Sequence, residues 1–299
     1  MSELSHSARR TTVRALITAS ARRLARAQVF FGHGTDNAAD EAAALVWHAL
    51  DLPYPATARR YARRVGVRAR EAVQALITRR IRERIPAAYL IGRARFAGLV
   101  FHVDQRVLIP RSPLAELIER GFAPWIEPAR VRRVLDVGTG SGCIAIACAR
   151  AFPRARVDAL DVSAQALEVA HINVRRHRLG VRVRLLKSDH FGALGKRSYD
   201  IIVSNPPYVG ARELGALPAE YRHEPRVALA SGRGGLESIR IILRDAARHL
   251  RPRGILVVEA GNTEVAVRRA FPGLPLTWLH FERGGGGVFL LTAEQLHAG

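Results

Sequence analysis

Two patterns of hydrophobic and polar positions follow one another along the chain. In the first third, apolar residues recur every three or four positions, as they do on the buried face of a helix. The first helix carries its apolar stripe on Val13, Leu16, Ile17 and Leu24. A second helix is expected to start after Asp36 or Asn37, and a third covers residues 68–84. Residues 1–92 are therefore expected to form a small helical domain.

Strand-like alternation replaces the helical pattern after this domain. Residues 96–103 (FAGLVFHV) and 106–109 (RVLI) have the pattern of two short strands, and Pro110 closes the second one. We expect residues 93–112 to form a β-hairpin connector between two larger parts of the chain.

From residue 113 onward, segments with strand and helix patterns alternate. Strands are expected at 131–138, 155–162, 181–189, 199–205 and 254–261. Such alternation is typical of a doubly wound, mostly parallel sheet. The last two strands, 275–281 and 287–291, are joined like a hairpin, which predicts an antiparallel last strand. Residues 113–299 are therefore expected to form an α/β domain.

The chain is strongly basic, with a formal net charge of +21. Only Lys187 and Lys196 are lysines, so 45 of the 47 basic residues are arginine. Residues 1–95 hold 18 arginines against 7 acidic residues, which places over half of the excess charge in the first third. Such a surface is either a generic solvated face or a docking surface for an anionic partner such as RNA, and composition leaves both interpretations open.

Composition also bears on location and on metals. No apolar run reaches the roughly eighteen residues of a membrane span, and the N-terminus lacks the apolar segment of a secretory signal. We therefore expect a cytoplasmic protein. Cys143 and Cys148 lie outside any metal-ligand pattern, so no metal is expected.

A glycine-rich turn joins the first strand of the α/β domain to its first helix. Its G-x-G-x-G spacing lets the backbone approach a ligand, and the helix N-terminus favours an anionic group. A nicotinamide or flavin site would require G-x-G-x-x-G, which is one residue longer, and a plain tight turn is the other alternative. The residues expected to bind a cofactor here are Asp136, Gly138, Thr139, Gly140, Ser141 and Gly142.

Acidic residues end the next two strands. Asp161, followed by Val162, could accept the hydroxyls of a ribose, although it could also cap the next helix. Asp189 could accept from an adenine amino group, with His190 or Phe191 beside the ring. A glycine-rich turn and two acidic residues at three successive strand ends together predict a cofactor that contains a nucleoside.

The fourth strand is followed by Asn205-Pro206-Pro207-Tyr208, written NPPY. Prolines fix φ and cannot donate, so this segment is stiff and rich in acceptors. An amide or exocyclic amine is a poor nucleophile, and acceptors that hold its N–H groups would aim its lone pair at a methyl donor. The alternative is a rigid turn. These four residues are the expected catalytic and substrate-binding residues.

In this order, GTGSG, Asp161, Asp189 and NPPY resemble the class I S-adenosylmethionine-dependent methyltransferases that modify planar amino groups. With the helical N-terminal part and RIPAAYLIGRARFAG at 84–98, the chain resembles the protein-glutamine N5-methyltransferases over nearly its whole length. The resemblance implies S-adenosylmethionine as cofactor, without a metal. It implies cofactor contacts from the glycine-rich turn, the two acidic strand ends and Asn205, and a glutamine side chain that enters at NPPY.

Four further motifs are similar to the branch of this family that acts on large-subunit ribosomal protein number three. They are FGHGTDN at 31–37, IPRSP at 109–113, EYRHEP at 220–225 and ALASG at 228–232. The sequence at 110–115 departs from the PRPET-type motif of members that modify release factors. Arg111 and Glu224 are expected at the substrate mouth. The basic helices are expected to dock on an assembling ribosomal particle, through contact with ribosomal RNA.

Two alternatives share the same chemistry. A release factor could be the substrate, or an amino group of adenine or guanine in nucleic acid, which the charge favours mildly. A non-catalytic binding module would not need NPPY beside a cofactor turn.

Overall fold

The computed structural model describes residues 11–52 and 57–298 and consists of two compact units. One unit contains the described residues up to Arg93 together with Pro218–His223. The other contains Ala94–Leu217 and the described residues from Glu224 onward. The assignment of 218–223 to the first unit was not predicted from the sequence.

The described residues of the helical unit contain five α-helices that share one apolar core. They are α1 (Val13–Arg26), α2 (Ala38–Ala49), α3 (Ala58–Tyr61), α4 (Val67–Glu83) and α5 (Ala87–Ile91). Val13, Leu16 and Leu24 of the expected stripe are buried. Of the two expected caps for α2, Asn37 is the residue used, and its side chain accepts from the N–H groups of Ala39 and Asp40.

A buried arginine explains why residues 218–223 belong to the helical unit. Arg80 of α4 is fully buried, and it donates to Glu41 (2.8 Å), to Glu220 (3.1 Å) and to the carbonyl of Phe30 (2.8 Å). A buried guanidinium needs such partners, because its charge has been removed from water. Tyr221 adds a ring contact with His33, with centroids 4.5 Å apart. The motif FGHGTDN and residues 220–223 of EYRHEP therefore meet within this unit.

The predicted hairpin exists, but it lies earlier in the chain than expected. Its strands are β1 (Arg93–Phe96) and β2 (Leu99–His102), which form a two-stranded sheet. Ala97 and Gly98 join them with positive φ angles of 46° and 70°. An alanine rarely takes this conformation, so the turn carried no sequence signal. Residues 106–109 form no strand, and the expectation of a second strand there was wrong.

The α/β unit contains one seven-stranded sheet in the order β5-β4-β3-β6-β7-β9-β8. Its strands are β3 (Arg133–Val137), β4 (Arg156–Asp161), β5 (Val183–Lys187), β6 (Tyr199–Ser204), β7 (Leu250–Glu259), β8 (Thr277–Leu279) and β9 (Val288–Thr292). The first five in this order pair in parallel, and β9 is antiparallel to both of its neighbours. The predicted doubly wound, mostly parallel sheet with an antiparallel last strand is confirmed.

Helices cover the sheet and complete the unit. They are α6 (Leu114–Glu119), α7 (Cys143–Ala151), α8 (Ala164–Arg176), α9 (Ala211–Ala216), α10 (Arg226–Leu229), α11 (Glu237–Ala246), α12 (Glu264–Ala270) and α13 (Ala293–Ala298). The two faces of the sheet carry separate apolar clusters. In the described part of the chain, no helix is both long and apolar enough to span a bilayer.

The strand order places the site. The chain runs from β3 outward to β4 and β5, and it then returns to β6 on the other side of β3. The carboxyl ends of β3 and β6 flank this reversal, where open α/β sheets bind their ligands.

Candidate active site

A cavity of about 280 Å³ opens at the reversal between β3 and β6. Its walls come from the glycine-rich turn, the ends of β4 and β5, the NPPY segment and residues 106–112. The expected site residues that line it are Arg111, Gly138, Thr139, Gly140, Ser141, Asp161, Val162, Asp189, His190, Asn205, Pro206 and Pro207. Sequence segments far apart in the chain therefore meet in one place.

Backbone hydrogen bonds hold the glycine-rich turn. The N–H groups of Gly138 and Thr139 donate to the carbonyl of Leu160 at 2.9 and 2.8 Å. Gly138 has a φ of 76° and Gly140 a φ of 53°, a region that residues with a Cβ avoid. A Cβ at Gly140 would meet no protein atom within 4 Å, so the turn leaves open space there.

Gly142 and Asp136 are not among the residues that line the cavity. Gly142 has a φ of 79° and packs against Ala170 of α8. Asp136 is fully buried beneath the turn and accepts from the hydroxyl of Thr139 (2.6 Å) and the N–H of Ala145 (3.1 Å). Both residues contact protein atoms of the turn and of the helices beside it, and the expected contact with a cofactor stays a prediction.

Burial dominates the electrostatics of Asp136. It raises the pKa of this carboxyl to about 7, against the opposing effect of the two hydrogen bonds. The other oxygen, Oδ1, has no hydrogen-bond partner among the described residues. Asp136 therefore supports the turn at an electrostatic cost.

Asp161 lies at the cavity with both oxygens in use. Its Oδ2 accepts from the N–H of Gly140 (2.8 Å) and its Oδ1 from the N–H of Ser163 (2.9 Å). Burial raises its pKa above the ordinary value. The cap of α8 is Ser163, whose hydroxyl accepts from Ala166, so the alternative that Asp161 caps this helix does not apply. Val162 follows at the cavity wall, half of its surface exposed.

Of the three expected site residues after β5, two line the cavity and one lies in the core. Asp189 and His190 line the cavity, and His190 Nδ1 lies 2.6 Å from Asp189 Oδ1. Phe191 is buried and stacks on His249 with ring centroids 5.2 Å apart. It is not a cavity-lining residue, and the expected contact of Phe191 with a cofactor ring finds no support in this arrangement.

The NPPY segment starts beside the glycine-rich turn. Ser204 and Val137 are paired in register at the ends of β6 and β3, and the Ser204 hydroxyl donates to the Val137 carbonyl at 2.7 Å. The carbonyl of Asn205 lies 3.9 Å from the position that a Cβ of Gly138 would take. The two motifs are therefore direct neighbours at the reversal.

Beyond NPPY, the backbone is tied to the ALASG motif. The N–H of Val209 donates to Leu229 (2.8 Å), and the N–H of Ser231 donates to Val209 (3.0 Å). These bonds fix the direction in which the chain leaves the cavity.

Arg111 and Glu224 bind each other. Two hydrogen bonds of 2.5 and 2.7 Å join the guanidinium to the carboxylate, a bidentate geometry. Glu224 also accepts from the N–H of Ile109 (3.1 Å), and its side chain is fully buried. Arg111 lines the cavity, whereas Glu224 does not. Glu224 was expected at the mouth, and the structure places it behind Arg111, within the same α/β unit.

Tyr208 is held by residues that the sequence analysis did not identify. Its hydroxyl donates to Glu259 Oε1 (3.2 Å), and Ser112 donates to Glu259 Oε2. The ring packs so closely on Gly261 that a Cβ there would overlap it. Tyr208 is not among the cavity-lining residues. The sequence did contain a signal for Glu259, because an acidic residue follows the apolar run ILVV at 255–258.

These residues fit a cofactor that contains a nucleoside. Open space at Gly140 and carboxylates at the ends of β4 and β5 give room for the ligand and acceptors for its hydroxyl and amino groups. Across residues 11–52 and 57–298, no group of three or more His, Cys, Asp or Glu side chains is arranged to hold a metal ion.

Known proteins resemble this chain at three levels. The family model of the methyltransferase small domain matches residues 121–218. The ribosomal protein uL3 glutamine methyltransferase of Neisseria gonorrhoeae is 48% identical over 96% of each chain. Its counterpart in Bordetella pertussis is 49% identical, again over 96% of each chain.

Solved structures share the fold at lower identity. The hMettl16 catalytic domain in complex with MAT2A 3′UTR hairpin 1 is 18% identical, with a TM-score of 0.51, and the match covers 83% of this chain and 90% of the other. This likeness, together with the sheet order, establishes a class I methyltransferase fold. The identity to the curated relatives along nearly the whole chain goes further. The chain is a methyltransferase that belongs to the family of ribosomal protein uL3 glutamine methyltransferases.

Proposed function

We propose that this enzyme transfers a methyl group from S-adenosylmethionine to the side-chain amide nitrogen (N5) of a glutamine in ribosomal protein uL3. The observation that carries the proposal is the 48–49% identity, over 96% of the chain, to relatives named for this substrate. The position of NPPY beside the glycine-rich turn supports the chemistry. Its action on ribosomal particles would place the enzyme in the cytoplasm.

The cofactor end would be formed by residues that line the cavity. Gly138 and Gly140 would let the ligand approach the backbone, while Asp161 and Asp189 would accept from its hydroxyl and amino groups. S-adenosylmethionine, when bound, supplies an electrophilic methyl group. The direct contacts expected of Asp136, Gly142 and Phe191 have no such support, because these residues do not line the cavity.

The chain itself would prepare the nucleophile. A glutamine amide is weak because its nitrogen lone pair is delocalised. The side-chain carbonyl of Asn205 and the backbone carbonyl of Pro206 would each accept one N–H of the amide, which fixes its orientation. The same acceptors would stabilise the positive charge that develops on nitrogen. The proton leaves after transfer, so no strong base is required.

A labelling experiment tests the proposed substrate. Purified enzyme and labelled S-adenosylmethionine are incubated with ribosomal particles from cells that lack the enzyme. We expect label on one glutamine of uL3. Label on ribosomal RNA, or on a release factor with uL3 untouched, would contradict the proposal and favour one of the two alternative substrates.

Charge on the helical unit favours the assembling particle over free uL3 as the substrate. Among the residues of this unit that the structure describes, the exposed arginines include Arg14, Arg22, Arg23, Arg26, Arg59, Arg63, Arg64, Arg68, Arg79, Arg82 and Arg93. Arg23 donates to Thr78 at 2.8 Å, so the basic residues of α1 and α4 lie on neighbouring helices. Such a surface would bind the phosphates of ribosomal RNA and repel a basic protein.

The docking proposal has its own test. The triple variant Arg22→Gln, Arg26→Gln and Arg82→Gln removes three charges from the helical unit. A matched variant changes Arg175, Arg176 and Arg178, which are exposed near the end of α8. We expect only the first variant to weaken methylation of particles, with a smaller dependence on salt. Equal loss in both variants would contradict a docking role for α1 and α4.

A further inference from the structure

A buried carboxylate stands behind the NPPY segment. Glu259 is the last residue of β7, and it is only 5% exposed. The residues before it, Ile255–Val258, are apolar and buried, so Glu259 is the point at which this central strand turns polar. A buried carboxylate is costly unless donors satisfy it, and it therefore calls for an explanation.

Two hydroxyl groups satisfy Glu259, and both belong to segments at the site. Tyr208 of NPPY donates to Oε1 at 3.2 Å, and Ser112 of IPRSP donates to Oε2. Ser112 also accepts from the N–H of Leu114 at 3.1 Å, which anchors it at the start of α6. One carboxylate thus connects the connector segment to the substrate motif.

Tyr208 is constrained both at its hydroxyl and at its ring. The hydroxyl is held by Glu259, and the ring face lies on the backbone of Gly261, two residues further along the chain. Gly261 has a φ of 51°, which favours glycine, and the missing side chain leaves the room that the ring occupies. If the ring tilted, it would either lose the hydrogen bond to Glu259 or clash with the backbone of Gly261.

We infer that Glu259 is a positioning residue for methyl transfer: by holding the Tyr208 hydroxyl and Ser112, it fixes the orientation in which NPPY presents its acceptors. This inference rests on the proposed function of NPPY. Burial raises the pKa of Glu259, against the opposing effects of its two hydroxyl donors and of the positive charge of Arg111.

A matched pair of variants separates positioning from general stability. Glu259→Leu removes both acceptors with little change in volume. Glu116→Leu is the control, because Glu116 of α6 is also buried (4% exposed) and accepts two N–H groups, from Glu282 and Arg283, each at 3.1 Å. Glu116 does not line the cavity. Both variants should lower the melting temperature.

Amide hydrogen exchange tests the inference without any substrate. In Glu259→Leu, the amides of Tyr208 and Val209 should exchange at least about tenfold faster, because they lose local protection. In Glu116→Leu, they should exchange as in the wild type. Unchanged exchange in Glu259→Leu would overturn the inference, even if the enzyme methylated a different substrate.

Kinetics provide the second readout. Glu259→Leu should lower kcat about ten- to hundredfold, the effect of losing a hydrogen bond to a charged group, with an unchanged Kd for S-adenosylhomocysteine. Tyr208→Phe should lower kcat as well, and the double variant should lie within about twofold of Glu259→Leu alone. Glu259→Gln, which keeps one acceptor oxygen, should restore part of the rate. Additive effects, or a parallel loss of cofactor affinity, would overturn the inference, while a wild-type enzyme inactive on uL3 would overturn the proposed function alone.

Discussion

The glycine-rich turn and the NPPY segment lie side by side at the carboxyl ends of β3 and β6, yet they are held in different ways. Backbone N–H groups and positive φ angles shape the turn, and its supports, Asp136 and Leu160, are close to it in the sheet. NPPY is positioned by contacts from distant parts of the chain, among them the carboxylate of Glu259 and the backbone of Gly261. The proposed cofactor end is therefore held by local contacts, and the proposed substrate end by contacts with distant residues.

This difference predicts that the two ends can be damaged separately. Changes in the turn should weaken cofactor binding and leave the chemical step at saturating cofactor nearly intact. Changes at NPPY or its supports should slow the chemical step and leave cofactor binding intact. The variants below test this separation, from the largest expected effect on activity to the smallest.

The largest effect is expected from Asn205→Ala. The loss of one preorganised acceptor should lower kcat about 100- to 1,000-fold. Affinity for S-adenosylhomocysteine, measured by calorimetry, should change less than about threefold. An equal loss of both would mean that Asn205 serves the cofactor or the fold, and the two ends would not be separable.

Gly140→Ala tests the cofactor end. A Cβ would enter the open space at the turn, and a φ of 53° costs a residue with a side chain about 1–2 kcal/mol. The Kd for S-adenosylhomocysteine should rise about tenfold, while kcat at saturating cofactor stays within about twofold. Gly180→Ala is the control, since a Cβ there meets nothing within 4 Å and its φ is not positive. A fall in kcat without a change in Kd would contradict the comparison.

Gly261→Ala tests the proposed substrate end through a residue that contacts Tyr208. The new methyl group would overlap the ring of Tyr208. The ring must therefore move, and its hydrogen bond to Glu259 must lengthen. We expect kcat to fall about tenfold with unchanged cofactor affinity. Gly180→Ala again provides the control. Wild-type kinetics would show that the position of Tyr208 does not matter to the reaction.

The smallest effect on activity is expected from Asp136→Asn, which acts on stability instead. The pKa of Asp136 is raised from 3.8 to about 7 by burial, so the folded protein keeps a proton that the unfolded chain has already released. The stability that this proton contributes is fully present below about pH 4 and is lost as pH rises through about 7.

Asparagine keeps one acceptor oxygen and does not titrate. From about pH 5 to about pH 8, the free energy of unfolding of the wild type should fall by about 1–3 kcal/mol relative to that of Asp136→Asn. Each pKa unit corresponds to about 1.4 kcal/mol. Denaturant unfolding at several pH values measures this difference. If the difference in free energy of unfolding between the two proteins did not change with pH, Asp136 would be ionised over this whole pH range.

The contrast also explains what the sequence could predict. The strands from 131 onward were placed correctly, because their apolar runs are regular. The hairpin was misplaced because Ala97-Gly98 lacks the residues that usually mark such a turn. The helix from Ala211 to Ala216 and the single turn from Arg226 to Leu229 were missed, because short helices carry little periodicity.

At the site, the sequence located the residues that form local motifs and missed those that act through tertiary contacts. The cavity wall at Gly138, Asp161 and Asn205 follows from motifs at strand ends. Nothing in the spacing connects Glu259 to Tyr208, 51 positions apart. Arg111 and Glu224 were both noticed, but their bidentate ion pair could not be deduced, because residues 113 positions apart give no pairing signal.

The most direct test of the account is the chemical identity of the product formed on uL3. Ribosomal particles from cells lacking the enzyme are treated with wild-type enzyme or with Asn205→Ala, and the uL3 peptides are then analysed by fragmentation mass spectrometry. The account predicts one added methyl group on the side-chain amide of a single glutamine with the wild type, and almost none with the variant. A methyl group on lysine or arginine, or equal product with Asn205→Ala, would contradict it.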